Sequence, residues 1–160
     1  MGTILHHRIK QKKFDSPQMK AVLNIMVAGD FLRQEAEKVC AEFDITSIQF
    51  NVLRILKGVH PNGHPRCEII GRLIERGTDV TRLIDRLEKR GLVERSRDGE
   101  DRRHSHARIT AKGITLLDEL NPKMSVLHLE TLNKFTHEEC LELSRLCEKL
   151  YAEELNPKIV

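Results

Sequence analysis

The sequence predicts a mainly α-helical chain with one small β-hairpin, and three observations support this fold class. Apolar residues recur at helical spacing along most of the chain, as at Val80, Leu83, Ile84 and Leu87. Residues 91–113 instead predict two short strands around a glycine turn. Aromatic residues make up only 4% of the chain, which argues against a large aromatic sandwich core. A chain of 160 residues is long enough for one domain with a buried core.

Two helices are predicted in the first part of the chain. Ser16 is a suitable cap and Pro17 a suitable first-turn residue for a helix that extends to about Glu42. Thr46 is a good N-cap for a second helix that ends near Lys57. The stretch GVHPNGHP, residues 58–65, is rich in turn formers and predicts a loop.

Two short helices joined by a turn that contains glycine are predicted next. The first spans about residues 67–74, and the second spans residues 78–90 and is ended by Gly91. This arrangement is typical of a helix-turn-helix, whose second helix fits the major groove of DNA. Strands at 92–97 and 104–109 follow directly and would form a wing. The order of these elements therefore predicts a winged helix-turn-helix.

The charged residues are unevenly distributed, although the net charge is only +3. Residues 66–113 carry thirteen basic and nine acidic groups, whereas residues 114–160 carry five basic and nine acidic groups. A locally basic segment in a protein of modest net charge indicates a surface that binds a polyanion. We therefore expect double-stranded DNA to bind the middle of the chain.

Candidate DNA-contacting side chains lie on the outer face of the second helix and in the hairpin. Arginine can bind guanine through two hydrogen bonds, and short hydroxyls can reach base edges or phosphates. The candidates in the helix are Thr78, Thr81, Arg82, Asp85 and Arg86. Those in the wing are Arg97, Asp98, Asp101, Arg102, Arg103 and His104, of which the acidic pair could brace the loop.

Two further helices are predicted after the hairpin, over residues 111–133 and 137–155. In the last helix Cys140, Leu143, Cys147 and Leu150 follow steps of three and four residues, as in a packing seam between helices. We expect this seam to contribute to a dimer interface, because it supplies apolar surface that a monomer would leave exposed.

The stretch DVTRLIDRLEKRGLVERSRDGEDRRHSHARITAKG resembles the signature of the MarR-type transcriptional regulators, a winged-helix family. The recognition-helix pattern spans Val80 to Val93, the wing pattern D-x-x-D-R-R spans Asp98 to Arg103, and T-x-x-G spans Thr110 to Gly113. The resemblance implies DNA contacts by Thr81, Arg82 and Arg86, with Arg102 at the wing tip. Glu100 departs from the pattern, since many relatives carry a basic residue there, and it would weaken phosphate attraction.

The resemblance also implies an organisation and a mode of action. Residues 1–160 would form one domain, with the winged helix at about 46–113 and dimerisation helices at about 14–42 and 114–160. A homodimer would bind a pseudo-palindromic operator, act as a repressor and be released by a small-molecule effector that the sequence does not identify. No cofactor is expected.

Several alternatives remain open at this point. His60, His64 and Cys67 form a weak candidate metal cluster, and Cys67 is the best-placed thiol for redox sensing. The winged helix could instead bind a protein partner. An enzyme is not expected, because the sequence has no glycine-rich phosphate loop and no serine elbow.

The location expected from the sequence is cytoplasmic, without a membrane partner. No apolar run approaches the roughly 20 residues that cross a bilayer. The basic residues near the N-terminus follow a short apolar patch, which is the reverse of a signal peptide. Four cysteines without a CxxC pair are expected to be reduced thiols.

Overall fold

A computed structural model describes residues 3–75, 77–96 and 106–152 of the chain. It confirms the predicted fold class, because helices predominate and the strands form one small antiparallel sheet. The elements are α1 (Thr3–Ile9), α2 (Pro17–Ala41), α3 (Ser47–Lys57), β1 (His64–Pro65), α4 (Arg66–Arg72), α5 (Val80–Lys89), β2 (Val93–Ser96), β3 (His106–Ile109), α6 (Ala111–Leu132) and α7 (His137–Tyr151).

Several helices begin where a side chain accepts hydrogen bonds from their first backbone N–H groups. The Ser16 hydroxyl accepts a hydrogen bond from the Met19 amide at the start of α2. Thr46 begins α3 with a reciprocal capping box, in which the Gln49 side chain accepts a hydrogen bond from the Thr46 amide. Thr136 begins α7 in the same way. The two caps predicted from the sequence, Ser16 and Thr46, are therefore confirmed.

The sheet has the order β1-β3-β2, with all pairs antiparallel. Its strand β1 lies within residues 58–65, so the prediction of a loop there was wrong in its last two residues. Gly63 allows the residues before β1 to approach β3 closely. Its φ is +78°, and a Cβ at this position would lie 2.5 Å from the Ala107 carbonyl oxygen. A two-residue strand pairs through its backbone and leaves no side-chain periodicity to predict it.

The core of residues 3–121 lies between the helices and the sheet. Its buried side chains come mainly from α3, α4, α5, both long strands and the start of α6, and the fully buried ones include Leu53, Leu56, Leu87, Leu92 and Leu117. Arg90, which follows α5, makes hydrogen bonds to a distant part of the chain. Its guanidinium donates to the carbonyl oxygens of Phe43, at 3.1 Å, and of Asp44, and both residues lie just after α2. The end of α5 is thereby fixed to the α2–α3 junction.

The chain divides into two compact units, Met1–Asn121 and Pro122–Val160. The second unit contains the end of α6 and the whole of α7, and α7 has no fully buried side chain. Within the part of the chain that the structure describes, no helix is both long and apolar enough to cross a membrane.

The structure contains one helix that the sequence does not predict, and some helix boundaries differ from the predicted ones, as at the end of α4, which is Arg72 instead of residue 74. The helix α1 was not predicted, because a helix of seven residues has too few apolar positions to show a period. The helix α5 begins at Val80, two residues later than predicted, since Asp79 accepts the Arg82 amide and is the N-cap. Thr78 therefore lies in the turn before α5.

Candidate nucleic-acid interface

The helices α4 and α5 form a helix-turn-helix, and the residues that they bury determine which residues face solvent. Ile69 and Leu73 bury the inner side of α4 and its end. The turn passes through Gly77 at φ +85°, a left-handed conformation that favours glycine. The four predicted apolar residues of α5 are all at least 93% buried, being 2%, 7%, 4% and 0% exposed. The opposite face of α5 is therefore turned to solvent.

Two arginines stand on this exposed face of α5. The Arg82 side chain is 79% exposed and pairs with Asp79, with 3.2 Å between Nε and Oδ2. Arg86 is also exposed and pairs with no residue of the described ranges. Partly exposed ion pairs of this kind contribute little to stability, so phosphate or guanine could displace the carboxylate from Arg82 at low cost. Both guanidinium groups are thus accessible to an anionic ligand.

Thr81 is exposed beside the arginines and is held by a residue from the preceding helix. Arg66, the first residue of α4, donates through Nη1 to the Thr81 hydroxyl oxygen at 3.0 Å. Thr78 has a different environment, since it is half-buried and its hydroxyl donates to the Glu75 carbonyl oxygen at 3.3 Å. The two predicted hydroxyl contacts are therefore not equivalent: Thr81 stands on the helix, and Thr78 stabilises the turn.

Asp85 is half-buried and joins α5 to the sheet. Arg95 of β2 donates to Asp85 Oδ1, and its other terminal nitrogen lies 3.6 Å from Glu88 Oε2. The two carboxylates are three residues apart, so they share one face of the helix. The structure thus gives Asp85 a partner within the chain, which the prediction of a DNA contact did not include.

Comparison with known proteins places this arrangement in a family. The profile of the MarR family matches residues 45–105. The uncharacterised HTH-type transcriptional regulator YwoH of Bacillus subtilis is 32% identical over 115 residues, which are 72% of this chain and 82% of YwoH. The crystal structure of a MarR transcription factor from Planctomyces limnophilus is 37% identical with a TM-score of 0.67, and the alignment covers 85% of this chain and 98% of that one. The chain belongs to the MarR family.

A more distant structure of the same fold contains a small-molecule ligand. It is the organohalide-sensing transcriptional regulator RdhR-CbdbA1625 in its 2,4-dichlorophenol-bound form, with a TM-score of 0.79 over 93% of this chain and 91% of that one. At 17% identity this likeness shows the fold alone. As a MarR-family protein, the chain is a DNA-binding transcriptional regulator and not an enzyme.

The wing of this MarR protein is described only in its strands. Four residue pairs join β2 to β3, from Val93 opposite Ile109 to Ser96 opposite His106. The predicted contacts Arg97, Asp98, Asp101, Arg102, Arg103 and His104 lie in the segment 97–105, outside the described residues, as does Glu100. Their contacts with DNA stay predictions.

The dimerisation seam predicted on α7 lies at the surface of the single chain. Leu143 and Leu150 are 42% and 63% exposed, and Cys140 and Cys147 are half-buried. Side chains in these positions are accessible to a second MarR protomer, so the seam stays a prediction.

The candidate metal cluster is not formed. His64 is buried in β1 opposite Ala107, whereas His60 and Cys67 are exposed. Among the described residues no three histidine, cysteine or carboxylate side chains come close enough to share a metal ion. The hypothesis was wrong because strand pairing turns the His64 side chain inward while the start of α4 leaves Cys67 outside.

The thiols differ in environment. Burial, with a smaller contribution from the nearby Glu37 carboxylate, raises the pKa of the Cys40 thiol to about 11. A protonated thiol inside the core is a poor nucleophile. Cys67 is exposed, so the alternative of a thiol sensor still concerns this residue.

Two residues that hold the interface together, Arg66 and Arg95, were missed by sequence reasoning. Arg95 is exposed on β2, and nothing in the local pattern signalled that it would reach Asp85 and Glu88 of α5. Nothing in the sequence pattern signalled that Arg66 would reach Thr81, fifteen residues away.

Proposed function

We propose that this MarR-family regulator is a homodimeric repressor that binds a pseudo-palindromic operator through α5, the recognition helix, and is released by a small-molecule effector. The observation that carries the proposal is the division of α5 into two faces. Val80, Leu83, Ile84 and Leu87 are buried, while Thr81, Arg82 and Arg86 are exposed. A helix fixed by one apolar face presents the other as a rigid surface for the major groove.

Operator recognition follows from the chemistry of that exposed face. Arginine can donate two parallel hydrogen bonds to guanine O6 and N7, which distinguishes guanine from the other bases. Arg86 suits this role because it pairs with no described residue. Arg82 exchanges a carboxylate partner for a base or phosphate. The predicted wing arginines, Arg102 and Arg103, would add contacts to the minor groove or its phosphates.

A homodimer is supported by apolar side chains that the single chain leaves at its surface. Large exposed side chains of α2 include Val22, Ile25, Met26, Phe31 and Leu32. In the second compact unit they include Val126, Leu129, Leu141, Leu146 and Leu150. Either set would be covered if a second copy of the chain packed against it, and large exposed apolar patches on soluble proteins mark interaction sites. Two recognition helices related by a two-fold axis would contact half-sites about 34–36 Å apart, one turn of DNA.

Repression and release by an effector extend the proposal. A dimer bound over two half-sites sterically prevents other proteins from binding that stretch of duplex. An organohalide-sensing regulator of the same fold was crystallised with 2,4-dichlorophenol, so the fold can accommodate a small aromatic ligand. Such a ligand releases the operator only if it binds more tightly to the state in which the two recognition helices no longer match the half-sites.

The test is a selection from a randomised duplex library, followed by fluorescence anisotropy on the selected sequence. Arg82→Ala is expected to weaken binding by about 1–3 kcal/mol and to relax the preference at one position of each half-site. Arg33→Ala is the matched control, because Arg33 also pairs with an aspartate three residues earlier, Asp30. Equal effects of the two variants would contradict a recognition role for α5.

A further inference from the structure

A hydrogen bond joins the two helices of the helix-turn-helix at the surface that faces DNA. Arg66 Nη1 lies 3.0 Å from Thr81 Oγ1, and both side chains are exposed. A guanidinium stays protonated and has only donors, so the threonine oxygen must be the acceptor in this bond. The bond therefore occupies one of the two lone pairs of Thr81 Oγ1 and leaves the hydroxyl proton available.

The hydroxyl proton of Thr81 is not used within the described part of the chain. Threonines in helices often donate to the carbonyl oxygen four residues earlier, as Thr115 does to Ala111 at 3.1 Å. Thr81 makes no such bond among the described residues and only accepts from Arg66. Its β-branched side chain has few χ1 rotamers, so the contact with Arg66 also limits its orientation.

We propose that Arg66 is a positioning residue that makes Thr81 a hydrogen-bond donor toward DNA and so sets base preference at one operator position. A free threonine hydroxyl can either donate or accept, and it discriminates poorly between bases. With one of its two lone pairs taken by Arg66 and its proton unused within the described part of the chain, Thr81 favours bases that offer an acceptor in the major groove. These are guanine, adenine at N7 and thymine at O4, whereas cytosine presents an amine donor. The inference rests on the proposed function of α5 as the recognition helix.

Charge and positioning are separable effects of Arg66. Its remaining N–H groups can also attract a phosphate, which would change the affinity for all sequences alike. Arg66→Lys keeps the positive charge but lacks the planar fork of donors that reaches Thr81. The lysine variant should therefore retain most of the overall affinity and still lose base preference.

The experiment is the library selection carried out in parallel with the wild type and five variants. They are Arg66→Ala, Arg66→Lys, Thr81→Val, the double variant Arg66→Ala/Thr81→Val, and Arg72→Ala. Arg72 is the matched control, because it also lies on α4 and pairs with Glu68 instead of a residue of α5. Thermal unfolding followed by circular dichroism establishes that each variant is folded.

Thr81→Val is expected to change one position of each half-site, which identifies the base pair that Thr81 contacts. Both Arg66 variants should change that same position, with the relative binding of cytosine rising roughly tenfold. The double variant should match Thr81→Val there, because residues that act as one unit are not additive. Arg72→Ala should leave the position unchanged.

Three results would overturn the proposal, and they can be told apart. If Arg66→Ala weakens binding equally for all sequences, Arg66 contacts a phosphate and does not position Thr81. If Thr81→Val leaves every position unchanged, Thr81 contacts no base. In both cases the wild type would still select an operator. If the folded wild type selects no sequence at all, the proposed function itself fails.

Discussion

Arg95 on the first strand of the wing pairs with Asp85 in the middle of the recognition helix, and with Glu88 one turn later at 3.6 Å. The two elements expected to enter neighbouring grooves of DNA are thus joined by one guanidinium. The pairs are partly exposed, with side-chain exposures of 32% for Arg95 and 44% for Asp85, so their contribution to stability is about 1 kcal/mol or less. They connect β2 of the wing directly to α5.

Asp85→Ala is predicted to weaken operator binding although it removes a negative charge from α5, the proposed recognition helix. Simple electrostatics would favour tighter binding after this substitution, because the phosphates would meet one acid fewer. The ion pair between Arg95 and Asp85 predicts weaker binding to the operator, since Arg95 would lose its closer partner. Anisotropy titrations on operator and scrambled duplex distinguish the two.

The expected pattern is a loss on operator DNA of at most about 1 kcal/mol, the contribution of the pair itself, with no loss on scrambled DNA. Glu94→Ala is a suitable control, because it removes one acid at an exposed position of β2, the strand that carries Arg95, without changing the Arg95–Asp85 pair. Tighter binding of Asp85→Ala to both duplexes would contradict this role of the Arg95–Asp85 pair.

Gly113→Ala is predicted to destabilise the winged helix. A Cβ at this position would lie 2.4 Å from the Leu92 carbonyl oxygen and 2.7 Å from Ile109 Cγ1, where strand ends and α6 meet. Overpacking against backbone costs about 1–3 kcal/mol. Urea unfolding at a fixed protein concentration measures the change.

Gly71→Ala is the matched substitution for that experiment. It lies in α4, and a Cβ there would meet no atom within 4 Å. Replacing glycine by alanine in an open helical position stabilises by about 0.4–1 kcal/mol. Similar losses of stability in the two variants would show that the close approach at Gly113 does not matter.

Leu143→Glu is predicted to weaken the dimer, because it would place a charge in the apolar seam of α7. Leu143 is 42% exposed in the single chain, so the substitution should not unfold the helix. Light scattering after size exclusion should show a dimer for the wild type, and a dissociation constant raised at least about tenfold in the variant. Glu148→Gln on the same helix is the control. An unchanged dimer in Leu143→Glu would exclude this seam.

The cysteines are predicted to react with iodoacetamide in an order set by burial. Cys67 should react first, and Cys40 only after unfolding, because Cys40 is fully buried and its pKa is raised to about 11. The folded state keeps this proton where the unfolded chain releases it near 9.0, so the thiol's contribution to stability falls as the pH rises from 9.0 to about 11. Mass spectrometry of labelled peptides measures the order. Fast native labelling of Cys40 would contradict the buried site.

The elements that the sequence predicts well are those whose signal lies in residues close together along the chain. The cap at Thr46, the four-residue apolar stripe of α5 and the end of α5 before Gly91 each depend on residues a few positions apart. The helix α1 and the strand β1 were missed because they are too short to show a period. The resemblance of the α5 and wing motifs to the MarR family supplied what local patterns could not, namely the family and its expected dimer.

The candidate site was predicted as a set of residues but not as a set of contacts. Thr81, Arg82 and Arg86 stand on the exposed face as expected. The partners Arg66 and Arg95 approach α5 from other elements, at separations of fifteen and ten residues, where helical periodicity carries no information. Contacts of this kind are determined by tertiary packing and become visible only in the folded chain.

The most direct test of the account is fluorescence anisotropy of labelled duplex over a salt series, with DNA from the region upstream of the protein's own coding sequence and a scrambled control. The account predicts that a dimer binds the upstream duplex preferentially, and that log affinity falls linearly with log salt as phosphate contacts release counterions. Equal binding of both duplexes at every salt concentration, together with an empty library selection by the folded dimer, would contradict sequence-specific recognition by α5.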